Sequence, residues 1–322
     1  MTFINDTISS ANPGPALYTA IETAMLAGGW TLEDTVVIGS TTHKILKSAA
    51  AGNTYGLDWY LDINYPTTGT TGGMRFAPFE GYNAGTDQGT RGPFGHVSVG
   101  TIDATTYSRF GATASALETN WMNGSTATGV SAALATTPFG YYVSVTRNRI
   151  VMLTTSEPTK LFYTGFFTPS AAHVAHAGAA LFPLVMLTIA VNSTAGTAGS
   201  IGGAGLAFTR VPKASTINWS TSGLVHAGAA LLTYFGGGGL VGGASSEFAG
   251  ETQLVPCPVM MGAGSSGPGT GTTNVGGVGY LDGVAAGYVL STATAGASVA
   301  VGSDTWYTTT PSGSYGLFFK GV

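Results

Sequence analysis

At 322 residues the chain can bury a substantial core, as one large domain or as two of medium size. Charged side chains are only 8 % of it and glycines number 50, where an ordinary globular domain carries about 25 % charge and about 7 % glycine. The net charge of −4 comes with no basic run, so a phosphate-tracking groove, and nucleic acid as a partner, are excluded. The nearest basic feature is Arg147 with Arg149, expected at the solvated tip of a hairpin. A surface so poor in charge has little electrostatic protection against association. It fits either a single protein coated in Ser, Thr, Asn and Gly or, the reading preferred here, a subunit covered by its neighbours.

The opening residues MTFINDTISS hold neither a basic nor an apolar block and do not read as a secretory signal. Asn12-Pro13-Gly14-Pro15 starts a helix over 15–27. Leu17, Ile21, Ala24 and Met25 share its apolar face, and Gly28-Gly29 stops it in a left-handed turn. Thr35–Ile38 and His43–Lys47 read as a hairpin around 39–42. Leu57, Trp59, Leu61 and Ile63 alternate with Asp58, Tyr60, Asp62 and Asn64, which predicts a strand with one buried and one wet face. Thr68 to Gly73 is a turn. Met74–Phe79 is a strand that Pro78 confines to an edge or bulge. Residues 81–112 read as loop-rich, 113–122 as a short helix and 124–137 as an exposed loop.

The clearest signal runs from Phe139 to Pro169. Tyr141, Val143 and Val145 alternate with Tyr142, Ser144 and Thr146; Arg147-Asn148 breaks the run. Ile150, Met152 and Thr154 alternate with Arg149, Val151 and Leu153, and Leu161 to Phe167 is aromatic-rich around Gly165. Period two with β-branched and aromatic residues predicts a three-strand meander.

Beyond it the composition shifts. Residues 1–160 carry 19 charged side chains and residues 161–322 carry seven. The first part is expected to be the helix plus antiparallel strands; the second, a Gly/Ala-rich β region with long loops near 193–205 and 262–277, completes the same core. Ala171 to Val191 has membrane-span length and no charge, but His173, His176, Gly178 and Pro183 argue for a buried segment ending in a strand at Leu184–Val191. His176–Leu181 is echoed by His226–Leu231, too few copies for a repeat. The end is β again: Gly279–Val284, Tyr288–Leu290, a tight hairpin from Val299 to Thr308 around Gly302-Ser303, and Tyr315–Phe319.

No constellation carries chemistry. Gly262-Ala263-Gly264-Ser265-Ser266-Gly267 matches a dinucleotide fingerprint, but Pro256, Pro258 and Pro268 deny it the helix the pyrophosphate needs. The serine-hydrolase elbow is absent. His173 and His176 lack a third metal ligand nearby. Asp58 and Asp62 lie about 13 Å apart along a strand at ~3.3 Å per residue; glycosidase pairs need about 5–9.5 Å. They are expected to solubilise the strand or to pair with Lys44 and Lys47. Among Trp59, Tyr60, Trp121, Tyr141, Tyr142, Phe162, Tyr163, Phe166, Phe167, Trp219, Trp306 and Tyr307, most rings at strand positions are expected in the core, with a sugar-stacking platform as the other use. Cys257 is the only cysteine, which excludes an internal disulfide and a cysteine metal cluster.

Several blocks, in order, resemble a family of tail-associated virion structural proteins from tailed bacteriophages. They are Gly28–Leu32 after the helix, Lys47–Gly56, the Leu57–Ile63 strand, Thr146–Ile150, Tyr163–Pro169, Phe182-Pro183-Leu184 and Gly279–Val284. None is a catalytic signature. The resemblance implies a non-enzymatic subunit in the virion, assembled in the host cytoplasm, whose partners are copies of itself and other virion proteins, with no cofactor, metal or membrane. The Ala/Gly-rich second half departs from the pattern and leaves tail tip, baseplate, collar or appendage open. A receptor- or glycan-binding protein at the particle surface is the alternative. The fold expected is mainly β, antiparallel sheets of sandwich or meander type, with a short N-terminal helix and long Gly/Ala/Thr/Ser-rich loops.

Overall fold

The structure is a computed structural model and describes residues 1–10, 13–38, 41–66, 75–85, 87–90, 100–101, 138–156, 158–177, 183–192, 200–207, 210–213, 216–219, 223–227, 254–263, 276–288, 292–311 and 315–321. It is mainly β and antiparallel throughout, and it divides into two compact units. The first is Met1–Ile150 with Thr154–Glu157; the second is Val151–Leu153 with Pro158–Val322.

The first unit opens with strand β1 (Thr2–Ile8) and helix α1 (Pro13–Ala27). A four-stranded sheet follows, in the order β2 (Thr31–Ile38), β3 (Thr41–Ser48), β4 (Trp59–Pro66), β5 (Arg75–Phe79). Next come β6 (Gly81–Asn83), β7 (Gln88–Thr90) and β8 (Gly100–Thr101), a small sheet of short strands in the stretch expected to be loop-rich. Strand β9 (Phe139–Val145) pairs with β1 from Thr2↔Val145 to Ile8↔Phe139, and β10 (Arg149–Thr154), of which Val151–Leu153 count with the second unit, follows it.

Helix α1 starts two residues earlier than its sequence pattern suggests and buries the expected Leu17, Ile21, Ala24 and Met25. Its end is a Schellman turn. Gly29 sits at φ +89°, Gly29 N–H bonds Leu26 C=O at 3.1 Å, and Trp30 N–H bonds Met25 C=O at 3.1 Å. The helix lies against β1, β2, β4 and β9. Among the described residues strand β5 ends its sheet, in keeping with Pro78.

Two expectations fail in this unit. Strand β4 has no wet face: Tyr60, Asp62 and Asn64 are buried like Trp59, Leu61 and Ile63, because both faces of this strand are covered. Arg149 is not at a solvated tip: it is 2 % exposed and donates to Ser144 Oγ at 3.2 Å.

The second unit begins with β11 (Lys160–Pro169) and α2 (Ala171–Ala177). Strands β12 (Leu184–Asn192) and β13 (Ser200–Ala207) form a hairpin, and β14 (Arg210–Lys213) pairs with β15 (Thr216–Trp219). Then come β16 (Gly223–Ala227), β17 (Leu254–Ala263), β18 (Gly276–Tyr288), β19 (Ser298–Val301), β20 (Asp304–Thr308) and β21 (Tyr315–Lys320). The sheet runs β11-β12-β13-β16-β17-β18 and then β21-β20-β19. Strand β11 pairs with β12 along Lys160–Phe166 and with β18 along Phe167–Pro169. The six strands thus close on themselves, which removes their free edges. Leu161 to Phe167 are all buried, as expected of a strand covered on both faces.

Here too the structure corrects the sequence pattern. The second half is the β region expected, but strand Ser200–Ala207 overlaps the stretch near 193–205 expected to be loop. The run from Ala171 does not begin as a buried segment: it is a helix with Ala171, Ala172, Val174 and Ala175 exposed, and only then the expected strand β12. Among the described residues, no helix is long and apolar enough to cross a membrane. The His176 echo is no structural repeat, since His176 lies in α2 and His226 in β16. The terminal hairpin forms as expected, Val301↔Asp304 closing it over Gly302 at φ +62°. The expectations for 68–73, 113–122 and 124–137 lie outside the described residues.

Candidate functional site

Among the described residues, three groups of side chains stand out beyond ordinary apolar packing. Two belong to the first unit and one to the second.

The first lies on one face of the four-stranded sheet. Cross-strand pairs of an antiparallel ladder point the same way, so His43↔Asn64, Ile45↔Asp62 and Lys47↔Tyr60 share a face. His43 Nδ1 lies 2.8 Å from Asp62 Oδ2, and Asn64 Nδ2 donates to the same oxygen at 3.0 Å. His43 is 2 % exposed, and Asp62 and Asn64 are 0 %. Asp62 Oδ1 and Asn64 Oδ1 have no hydrogen-bond partner among the described residues. Beside this cluster Tyr82 packs on Tyr60, ring centroids 6.2 Å apart, and donates to Asp34 Oδ2 at 2.7 Å. Burial, with the Asp34 carboxylate, holds the Tyr82 phenol above its usual range.

A histidine held by a carboxylate is the base-and-orienter half of many hydrolytic sites. Here both groups are buried, His43 and Asp62 alike. Asp62 therefore pairs with His43 and not with Lys44 as expected; Lys44 instead turns to the other face, where it bonds Glu22 and stands 5.5 Å from the Tyr18 ring centroid. Asp58 does pair with Lys47, at 2.9 Å, and accepts from Ala50 N–H at 2.6 Å. Burial opposes the Asp58 charge, but those two donors outweigh it and hold the carboxyl below its usual range.

The second group is a cradle for the turn at 146–149. Trp30 Nε1 donates to Thr146 C=O at 2.9 Å. Trp59 Nε1 and Ser48 Oγ both donate to Arg147 C=O, at 2.9 Å and 2.6 Å. Asn148 and Thr54 bond twice: Thr54 N–H to Asn148 Oδ1 at 2.9 Å, and Asn148 Nδ2 to Thr54 Oγ1 at 2.7 Å. The Arg147 side chain lies over Gly29 and Gly52, where an added Cβ would stand 2.7 Å from its Nε and 1.5 Å from its Nη1. Helix α1 has no basic residue in its last turn. Arg147 brings a cation there from a distant part of the chain, complementing the helix dipole.

The third group joins β11 to β18 in the second unit. Tyr163 Oη donates to Phe166 C=O at 2.5 Å and accepts from Asp282 N–H at 3.3 Å. Phe167 N–H bonds Pro183 C=O at 2.9 Å. Gly165 at φ +145° gives β11 the conformation this contact needs. At Gly279 a Cβ would fall 2.1 Å from Thr168 C=O, so the strands approach as only glycine permits.

The remaining expected residues scatter. His173 and His176 both fall on α2, three apart. Among the described residues no three or more His, Cys, Asp or Glu stand together as a metal site. Of the glycine fingerprint only Gly262 and Ala263 are described, and they end β17. Trp59, Tyr60, Tyr141, Phe162, Tyr163, Phe166 and Phe167 are buried, as strand positions imply. Tyr142, Trp306 and Tyr307 are half-buried, Tyr307 stacking on Phe319 with centroids 5.8 Å apart. Trp219 lies in β15, and Trp121 lies outside the described residues. Cys257 is free and buried, and burial pushes its thiol up to about 12.

Sequence reasoning missed the roles of His43, Asn64, Ser48 and Trp30. Only the pairing of β3 with β4 reveals the first two. No protein-family model matches the chain, and no curated protein matches it.

Proposed function

We propose that this chain is a non-enzymatic virion structural protein of a tailed bacteriophage, assembling in several copies in the tail, baseplate or collar. One observation carries the reading. The blocks that resemble the tail-associated family, far apart in sequence, meet as frame contacts. Gly29-Trp30, Ser48–Thr54 and Trp59 all grip the turn at Thr146–Asn148. Tyr163–Pro169, Pro183 and Gly279–Asp282 meet in the second unit. The hydrogen bonds that join these segments run to backbone groups or between neutral side chains, so these contacts of the resembling blocks set a shape.

Two further features favour assembly. Charge at 8 % of residues gives a surface suited to contact with neighbours. Strand β2 ends its sheet among the described residues and exposes Leu32 and Val37, an edge of the kind that isolated proteins usually blunt. Function then lies in interface burial, with repeated heterologous contacts closing by rotation into a ring. Quantitative peptide mass spectrometry of purified particles tests this. Peptides of this chain at several copies per particle are expected; their absence would refute the proposal.

A further inference from the structure

We draw no further inference here: the strongest candidate, the outer edge of β2 where Leu32 and Val37 stand exposed at the end of the four-stranded sheet, carries nothing more because nothing in the structure shows what covers it.

Discussion

Trp30 and Trp59 stand edge to face, ring centroids 4.6 Å apart and planes at 72°, and their indole N–H groups bond the successive carbonyls of Thr146 and Arg147. Two rings from either side of a hairpin thereby fix one turn that lies 116 residues beyond the first and 88 beyond the second. Removing one N–H from a part-buried carbonyl costs about 1–2 kcal/mol. Trp30→Phe and Trp59→Phe should each lower the unfolding free energy by that amount, read as a lower urea midpoint with no change in slope. Because the rings touch, the double variant should depart from additivity by about 0.5–1.5 kcal/mol. Strict additivity would mean that the rings do not act together.

Two glycines should respond differently to alanine. At Gly52 the obstacle is the end of the Arg147 side chain, which can swing into solvent. At Gly279 it is the Thr168 carbonyl, held in the β11–β18 ladder. Gly52→Ala should cost ~1 kcal/mol or less, and Gly279→Ala about 3 kcal/mol or more. Equal costs in thermal or urea unfolding would contradict this description of β18.

The His43–Asp62 couple makes an asymmetric prediction. Asp62→Ala leaves His43 Nδ1 and Asn64 Nδ2 without their shared acceptor, in a site sealed from water. That should cost about 3 kcal/mol or more. Replacing both His43 and Asp62 by Leu removes the imidazole along with the carboxylate, leaving only Asn64 Nδ2 unmet, and should destabilise less than Asp62→Ala alone. A double variant worse than the single would show the pair to be worth more than its desolvation.

These same residues show where sequence stops informing structure. Helix α1, the meander strands and the hairpin over Gly302 were legible because apolar spacing and glycine stops act locally. Asp62 and Asn64 were not: alternation tells which residues share a face, and polarity suggested a wet one, yet here that face is covered. Arg149 was misplaced for the same reason, since charge near a turn reads as solvated until Ser144 is seen beneath it. Strands β1 and β13 escaped notice for another cause. The exposed strand TFINDTI buries only Ile8, and SIGGAGLA offers too few side chains to alternate. The cradle around Arg147 could not be read at all, because it joins four segments that only the fold brings together.

The Asp58–Lys47 pair sets a pH response. The folded-state value of Asp58 lies below its unfolded value, near 3.9. Its contribution is therefore complete above that value and fades as pH falls through the folded one. The wild type should exceed Asp58→Asn in stability by a small constant margin from about pH 5 to pH 8, the margin closing below about pH 4. The pair is partly exposed, so salt should shrink that margin. A difference that grew in acid would contradict the pairing.

The most direct measurement is immunogold electron microscopy of purified phage particles with antibody against this chain. Label at regular positions on the tail, baseplate or collar is the predicted result. Label confined to distal fibres would transfer the chain to receptor recognition, and intact particles without label and without its peptides would contradict the virion role outright.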